Sequence, residues 1–289
     1  MAPAIDKKRY ADLNRQRRWY ADELRWNAKL QSERLVKAFA TVPREAFLGR
    51  GPWHILSDRQ FVRGYAKTSN ADPSHLYHNV LVAIDSRRSL NNGHPSFLAS
   101  LIDQLNLKDG EAVYHVGCGT GYYSAIMAEM VGKNGRVIAV EVDNALARRA
   151  RRNLNGYRQV EVVSSDGFAH NPGRVDAILV NAGVTRLSNV WLELLRAKGR
   201  LVVPFTLKNW VGRVLKATRG KPNWHARFIS PVGIYHCIGG RSTSAESRLK
   251  KAFSGGGAEK VRSLRLDEHE RNRNCWLHDR GFCLSRRSP

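Results

Sequence analysis

Apolar and polar positions change period several times along this chain, and each change predicts a different kind of structure. Over residues 1–50, Trp19, Leu24, Leu30, Leu35 and Phe39 make an approximate helical stripe that Pro43 ends. Residues 51–95 are broken by Gly, Pro, Asn and Asp around one apolar run at 80–84, and read as a cap with one extended segment. Pro95 then opens a helix over 96–105, with Phe97, Leu98, Leu101, Ile102 and Leu105 on its buried side. From Ala112 onward, apolar runs alternate with amphipathic stretches. This predicts strands at 112–116, 136–141, 160–164, 175–180 and 199–204, and helices at 122–131, 143–154 and 188–197. Strands apolar on both faces belong in a parallel sheet covered by helices on both sides. Residues 211–218 and 225–238 read as two more strands closing that sheet as an antiparallel pair. Residues 239–258 look like linker at both ends, and 261–266 and 275–284 like a small C-terminal β addition.

The expected fold is therefore α/β: a doubly wound, mostly parallel, Rossmann-like sheet with an N-terminal helical cap and a small C-terminal β addition. The expected division is a cap over 1–95, a ligand-binding domain over 96–240 and an extension over 241–289. The last of these is expected to pack back on the domain. Its end carries Trp276 and Phe282, each able to bury on the order of 150–250 Å², while Arg271, Arg273, Arg286 and Arg287 stay outside.

The junction of the first expected strand with the first expected helix carries the most specific chemistry. There Gly117, Gly119 and Gly121 alternate in Gly117-Cys118-Gly119-Thr120-Gly121-Tyr122, and Glu141 ends the next strand about 20 residues later. Glycines permit tight backbone angles and close ligand approach. An ionised carboxylate has only acceptors, so Glu141 suits the two hydroxyls of a ribose. A dinucleotide site places its last glycine one residue further on. The spacing seen here is that of S-adenosylmethionine sites, which cradle no pyrophosphate. Asp166 and Gly167 follow the third strand, where Asp166 is placed to accept an adenine amino group, and Asn181 follows the fourth. Tyr122 reads either as a cover for the methionine moiety or as a core aromatic. No Asn/Asp-Pro-Pro-aromatic segment and no Pro-Cys pair follow the fourth strand, which argues against methylation of DNA bases.

Charge and cysteines change the picture modestly. Lys and Arg number 48 against 25 Asp and Glu, a net charge of +23. That excess suits anionic partners, nucleic acid, acidic peptides or membrane surfaces, or is simply a solvated basic surface. The basic residues are scattered, so nucleic acid is possible but not favoured. No apolar run is long enough to span a membrane, and residues 1–10 lack the apolar core of a secretory signal, so a cytoplasmic location is expected. Of the cysteines, Cys118 lies in the glycine turn. Cys237, Cys275 and Cys283, with His236 and His278, match no standard zinc spacing, and packed, reduced thiols with no metal are expected.

Across residues 31–205 the chain resembles the protein-L-isoaspartate O-methyltransferases. The resemblance rests on Val42-Pro43-Arg44-Glu45-Ala46-Phe47, the glycine turn 116–122, Ser165-Asp166-Gly167, Val180-Asn181-Ala182-Gly183, and Gly199-Arg200-Leu201-Val202-Val203-Pro204. It implies a class I methyltransferase fold and S-adenosylmethionine as cofactor, bound through Gly117, Cys118, Gly119, Gly121, Tyr122, Glu141, Asp166, Gly167 and Asn181. It also implies methyl esters formed on aspartyl or isoaspartyl carboxylates of a protein or peptide substrate. The alternative is a methyltransferase or binding protein acting on RNA or a small molecule. Asn92-Gly93-His94-Pro95 stands where the family has Ser-Gln-Pro, which makes Asn92, Gly93 and Pro95 the candidate catalytic lip. Gly93 cannot supply the family's serine hydroxyl, so isoaspartate repair is expected to be weak or absent, and Gly93→Ser is expected to raise it or leave it unchanged.

Overall fold

A computed structural model describes residues 7–56 and 64–289, with side chains from residue 12 onward. The first six residues of the segment read as lacking a secretory signal, and residues 57–63 of the cap, lie outside the described residues. The N-terminal helices are α1 (Lys7–Asn27), α2 (Glu33–Thr41) and the single turn α3 (Glu45–Leu48). Ser32 caps α2, its hydroxyl accepting from the Leu35 N–H at 3.2 Å.

Of the expected stripe, Leu24, Leu30, Leu35 and Phe39 are buried, and only Trp19 points the other way. Trp19 is 65% exposed, whereas Tyr20, Ala21 and Leu24 are buried. The inward positions step as Leu13, Arg17, Tyr20 and Leu24, a helical period interrupted by one buried cation. Arg17 is held there by the Tyr77 hydroxyl, which accepts from its Nε at 2.9 Å. Trp19 instead lies on the outside beneath Arg15, whose guanidinium sits 5.3 Å from the ring centre.

The cap is also richer than one extended segment. Strands β1 (His54–Leu56), β2 (Ala66–Lys67), β3 (Leu81–Asp85) and β4 (Leu90–Asn91) form a small sheet in the order β2-β1-β3-β4. Two- and three-residue strands carry too few alternating positions to show in a sequence pattern.

The remaining elements build the main sheet and its cover. Helix α4 is Pro95–Leu105, followed by β5 (Ala112–Val116), α5 (Tyr122–Val131), β6 (Arg136–Glu141), α6 (Asn144–Asn153), β7 (Val160–Ser164), β8 (Val175–Val180), α7 (Asn189–Leu194) and β9 (Leu195–Thr206). Then come β10 (Val211–Thr218), β11 (Trp224–Gly233), α8 (Thr243–Ser254), β12 (Ser263–Arg265), β13 (Cys275–Asp279) and β14 (Phe282–Ser285). The ten strands run β13-β14-β12-β11-β10-β9-β8-β5-β6-β7. Pairings from β9 through β7 are parallel, and those from β9 to β13 are antiparallel.

One core layer lies on each face of this sheet. Tyr122, Tyr123, Ile126 and Leu179 belong to the face covered by α1, α2, α4 and α5, while Tyr114, Trp191, Phe205 and Trp276 belong to the other. The C-terminal strands thus extend the main sheet and pair with one another. Trp276 and Phe282 are buried, Arg271, Arg273 and Arg287 are exposed and Arg286 is half-buried. Helix α8 fills most of the stretch whose two ends looked like linker. Ser242 caps it, and Ala245 and Leu249 are its buried residues.

Candidate functional site

Strands β5, β6 and β8 deliver the glycine turn, Glu141 and Asn181 to one edge of the sheet. Gly117, Gly119 and Gly121 all have positive φ, +77°, +57° and +95°. The turn folds over the end of β6, with the Gly117 and Cys118 N–H groups donating to the Val140 carbonyl at 2.9 and 3.1 Å. A Cβ on Gly121 would lie 2.7 Å from Leu154 Cδ1, so this glycine lets α5 start tight against the residue that ends α6. A Cβ on Gly167 would lie 2.6 Å from Val116 Cγ1. Around Gly119 there is space, since a Cβ there would approach only Ile84 Cδ1, at 4.0 Å.

Glu141 is 8% exposed. One carboxylate oxygen accepts from the Gly119 N–H at 2.8 Å and the other from the Asp143 N–H at 3.1 Å. Each oxygen keeps a lone pair, so the carboxylate is fixed and still able to accept two hydroxyls. Asp143 in turn caps α6 through the N–H groups of Ala145 and Leu146, and pairs with Arg88 at 2.6 Å. These bonds and the Arg88 cation hold the Asp143 carboxyl below its usual range. The pair ties the turn between β3 and β4 to the rim of the site.

The Asn181 N–H donates to the Val116 carbonyl at 2.8 Å and its side-chain amide to the Gly117 carbonyl at 3.3 Å, holding the turn from below. Asp166 accepts the Phe168 N–H at 2.9 Å. Cys118 is buried, and burial with the Glu141 charge pushes its thiol well above the usual range, so it stays protonated. Tyr122 is fully buried, with its ring edge-on to Phe39, Phe47 and Tyr123, which are the contacts of a core aromatic.

Beside the glycine turn stands the lip. The Asn92 N–H donates to the Val82 carbonyl at 2.9 Å, and the residue is 7% exposed, with its amide Nδ2 buried and without a partner among the described residues. Gly93 has φ +75°, its N–H donates to Asn91 Oδ1 at 2.9 Å, and its carbonyl accepts from the Tyr123 hydroxyl at 3.4 Å. Pro95 is buried at the first position of α4.

One further contributor lies outside the residues singled out from the sequence. After β11, residues 234–241 return across the same edge. Gly183 N–H donates to the Tyr235 carbonyl at 2.6 Å, and Cys237 N–H to the Gly183 carbonyl at 2.9 Å. The Tyr235 hydroxyl reaches the Ser89 carbonyl and accepts from Asn91 Nδ2. Gly239 (φ +79°) packs so closely on Asp166 that a Cβ would fall 2.1 Å from its Oδ2. The Gly239-Gly240 pair is the available signal, and it marks close approach rather than a linker.

The chain that carries this assembly is similar to known proteins. A family model described as protein-L-isoaspartate(D-aspartate) O-methyltransferase matches residues 16–226. The chain belongs to this family. The protein-L-isoaspartate O-methyltransferase 1 of Archaeoglobus fulgidus is 31% identical over 232 residues, covering 78% of this chain and 96% of that relative. The Thermotoga maritima protein-L-isoaspartate O-methyltransferase is 31% identical over 183 residues, 61% of this chain, which spans about half (52%) of that relative's length.

A solved protein-L-isoaspartate O-methyltransferase has a TM-score of 0.61 at 23% identity, covering 81% of this chain and 69% of that one. A second, from Plasmodium falciparum in complex with S-adenosyl-L-homocysteine, has a TM-score of 0.60 at 18% identity, covering 76% and 97%. These two carry the fold: a class I methyltransferase. As a member of the protein-L-isoaspartate O-methyltransferase family, the chain is an S-adenosylmethionine-dependent methyltransferase. The family's Val-Pro-Arg-Glu signature has a structural task here. Arg44 is fully buried and donates to the carbonyls of Leu76, His78 and Val80 at 2.7, 3.1 and 2.9 Å, while Glu45 bonds Arg17 and the Tyr77 hydroxyl.

Proposed function

We propose that the protein transfers the methyl group of S-adenosylmethionine to a side-chain carboxylate, isoaspartyl or aspartyl, of a protein or peptide, giving a methyl ester. The residues present fit the cofactor. Gly117, Cys118, Gly119 and Gly121 offer their backbone, Glu141 keeps one free lone pair on each oxygen for the ribose hydroxyls, and Asp166 with Gly167 borders the adenine side. Asn181 braces the turn. Tyr122 supports it from the core, behind the helix start. When bound, the cofactor supplies an electrophilic methyl carbon on a sulfonium.

This chain's task is then to hold an acceptor oxygen in line and dry. A carboxylate with pKa near 4 is already ionised at neutral pH, so no general base is required, in keeping with the protonated Cys118. The acceptor assignment rests on Asn92. Its buried, unpartnered Nδ2 is a donor next to Gly93, where the family places a serine hydroxyl. A buried amide donor without a partner is costly, and a substrate carboxylate satisfies it. Gly93 and Pro95 shape the lip around it.

The preference for acidic substrates is part of the same proposal. A groove of about 710 Å³ beside Phe168 is lined by Arg186, Arg248 and Arg280, with Asp279 the acidic residue among its lining. We further assign the protein to the cytoplasm, a reading supported by four free, buried cysteines, which suit a reducing compartment. Among the described residues no helix is long and apolar enough to cross a membrane.

Steady-state kinetics of Asn92→Ala with an isoaspartyl peptide test the acceptor assignment. The expected result is a fall in kcat/KM of about tenfold or more, corresponding to about 1.5–3 kcal/mol for a hydrogen bond to a charged group, with cofactor affinity unchanged. Unchanged kcat/KM would refute it.

A further inference from the structure

The hairpin of β13 and β14 lies at the far end of the sheet from the glycine turn and beyond the span matched by the family model. One face of it, with Leu277, Phe282 and Leu284, joins the core. The other face carries a different set of side chains. Cys275 pairs with Ser285 and His278 with Cys283, and the register slips by one residue in between. That bulge matters. Residues three apart on a regular strand point to opposite faces, but the extra residue returns Cys275 and His278 to the same one. Cys283, directly opposite His278, shares that face. The loop from β12 to β13 then folds over it and brings in His269.

One ligand atom from each of His269, Cys275, His278 and Cys283 lies within 4.8 Å of all the others. His269 Nε2 is 3.6 Å from Cys275 Sγ. Zinc–sulfur bonds of about 2.3 Å and zinc–nitrogen bonds of about 2.0–2.1 Å place tetrahedral ligands roughly 3.3–3.8 Å apart, so this edge already has the right length. We propose that these four side chains form a structural Cys2His2 zinc site that fastens the C-terminal hairpin.

The surroundings are those of a metal site. His269 Nδ1 faces the Asp267 carbonyl at 2.9 Å and the Asp267 carboxylate at 3.5 Å, which fixes the ring with Nε2 turned to the cluster. The Asn272 N–H donates to Cys275 Sγ at 3.4 Å. His278 Nδ1 is buried without a hydrogen-bond partner, and a metal bond removes that deficit. Arg265, opposite Cys283, has its charge answered by Asp267 at 3.0 Å. Two thiolates then balance the charge of Zn²⁺. On loading, two S–H bonds break, two Zn–S bonds form, two protons leave to solvent, and nothing is oxidised. His236 and Cys237 take no part, since His236 faces the Leu207 carbonyl and Cys237 packs at the Asp166 edge. The ligand missing from the sequence pattern is His269, which sits in a polar loop with no spacing signature.

Metal analysis of the full-length chain, purified without a histidine tag, tests this. One zinc per chain is expected. His269→Ala removes a loop side chain and no strand pairing, and is expected to weaken zinc binding by at least about tenfold, while His236→Ala keeps the wild-type content. Cobalt(II) added to the chelator-treated wild-type chain is expected to give the visible bands of a tetrahedral site together with thiolate-to-cobalt charge transfer. A wild-type chain that binds neither zinc nor cobalt, with a Tm indifferent to chelator, would overturn the proposal. So would equal zinc affinity of wild type and His269→Ala in competition with a chelator.

Discussion

At the parallel end of the sheet, β5, β6 and β8 are covered on both faces, and their polar groups gather in the turns at one edge: Gly117–Gly121, Glu141 and Asn181. At the antiparallel end, β13 and β14 turn one face to the apolar core, and their polar chemistry, Cys275, His278 and Cys283, lies on the other, beneath the loop from β12 to β13. The topology explains the difference. A strand packed against helices on both faces can offer a ligand only its end, whereas a hairpin with only a loop over one face can offer that face. The first arrangement suits a diffusible cofactor that must enter and leave. The second suits a fastening within the protein. Damage at the two ends should therefore read out differently, as binding at one and as stability at the other.

The harshest way to break this contrast is to delete residues 261–289. Trp276 and Phe282 pack on Phe228, Phe253 and Phe205, and the Trp276 ring N–H donates to the Gly256 carbonyl at 2.9 Å. Losing them uncovers a large apolar patch. A clear drop in Tm and aggregation on heating are expected by scanning calorimetry. A truncated chain as stable as the parent would show the extension to be a loose appendage.

At the other end, Glu141→Ala should spare Tm more than it spares binding. Loss of the ribose contacts is expected to weaken S-adenosylmethionine by about 1.5–3 kcal/mol in titration calorimetry. Release of the Gly119 and Asp143 N–H groups acts in the same direction. Unaltered affinity would remove Glu141 from the site.

His115 sharpens the comparison by pH. It is fully buried in β5, its Nδ1 2.8 Å from the Ser124 hydroxyl, and burial pushes its pKa down to about 3. The unfolded chain, with a histidine pKa near 6.5, binds the extra proton first. Stability is thus lost as pH falls from about 6.5 towards the folded value, at about 1.4 kcal/mol per pH unit. Denaturation of His115→Gln across that window should show the slope reduced by that amount. An identical acid limb would contradict a neutral buried ring.

A smaller effect is expected at the lip. The sequence alone predicts that Gly93→Ser raises or preserves isoaspartyl activity, but φ is +75° there and a Cβ would lie 3.0 Å from Leu98 Cδ2. The substitution should cost about 1–2 kcal/mol of stability and bring no gain in turnover of an isoaspartyl peptide. A gain in that assay would restore the direct equivalence with the family's serine.

Legibility in the sequence follows the same divide. In the parallel half, apolar runs bounded by glycine and charge mark β5, α5, β6, β7 and β8 to the residue. In β5, β6 and β8, burial on both faces writes a continuous signal. Elsewhere, long-range contacts decide. Arg17 takes an inward position on α1 because Tyr77, Asn14 and Glu45 receive its donors. β9 begins at Leu195, four residues before the expected start, through a stretch in which Lys198 has φ +61°. The return of residues 234–241 to the glycine edge, and His269 reaching Cys275, depend on where distant strands lie. No local period encodes either.

The central claim, methyl ester formation on an isoaspartyl or aspartyl carboxylate, is tested most directly by acceptor identity. Full-length protein is incubated with methyl-labelled S-adenosylmethionine and, separately, an isoaspartyl peptide, its aspartyl twin and tRNA. The account predicts label on a peptide, greatest with acidic neighbours and released as methanol by mild base. Base-stable label on tRNA, with neither peptide labelled, would contradict it.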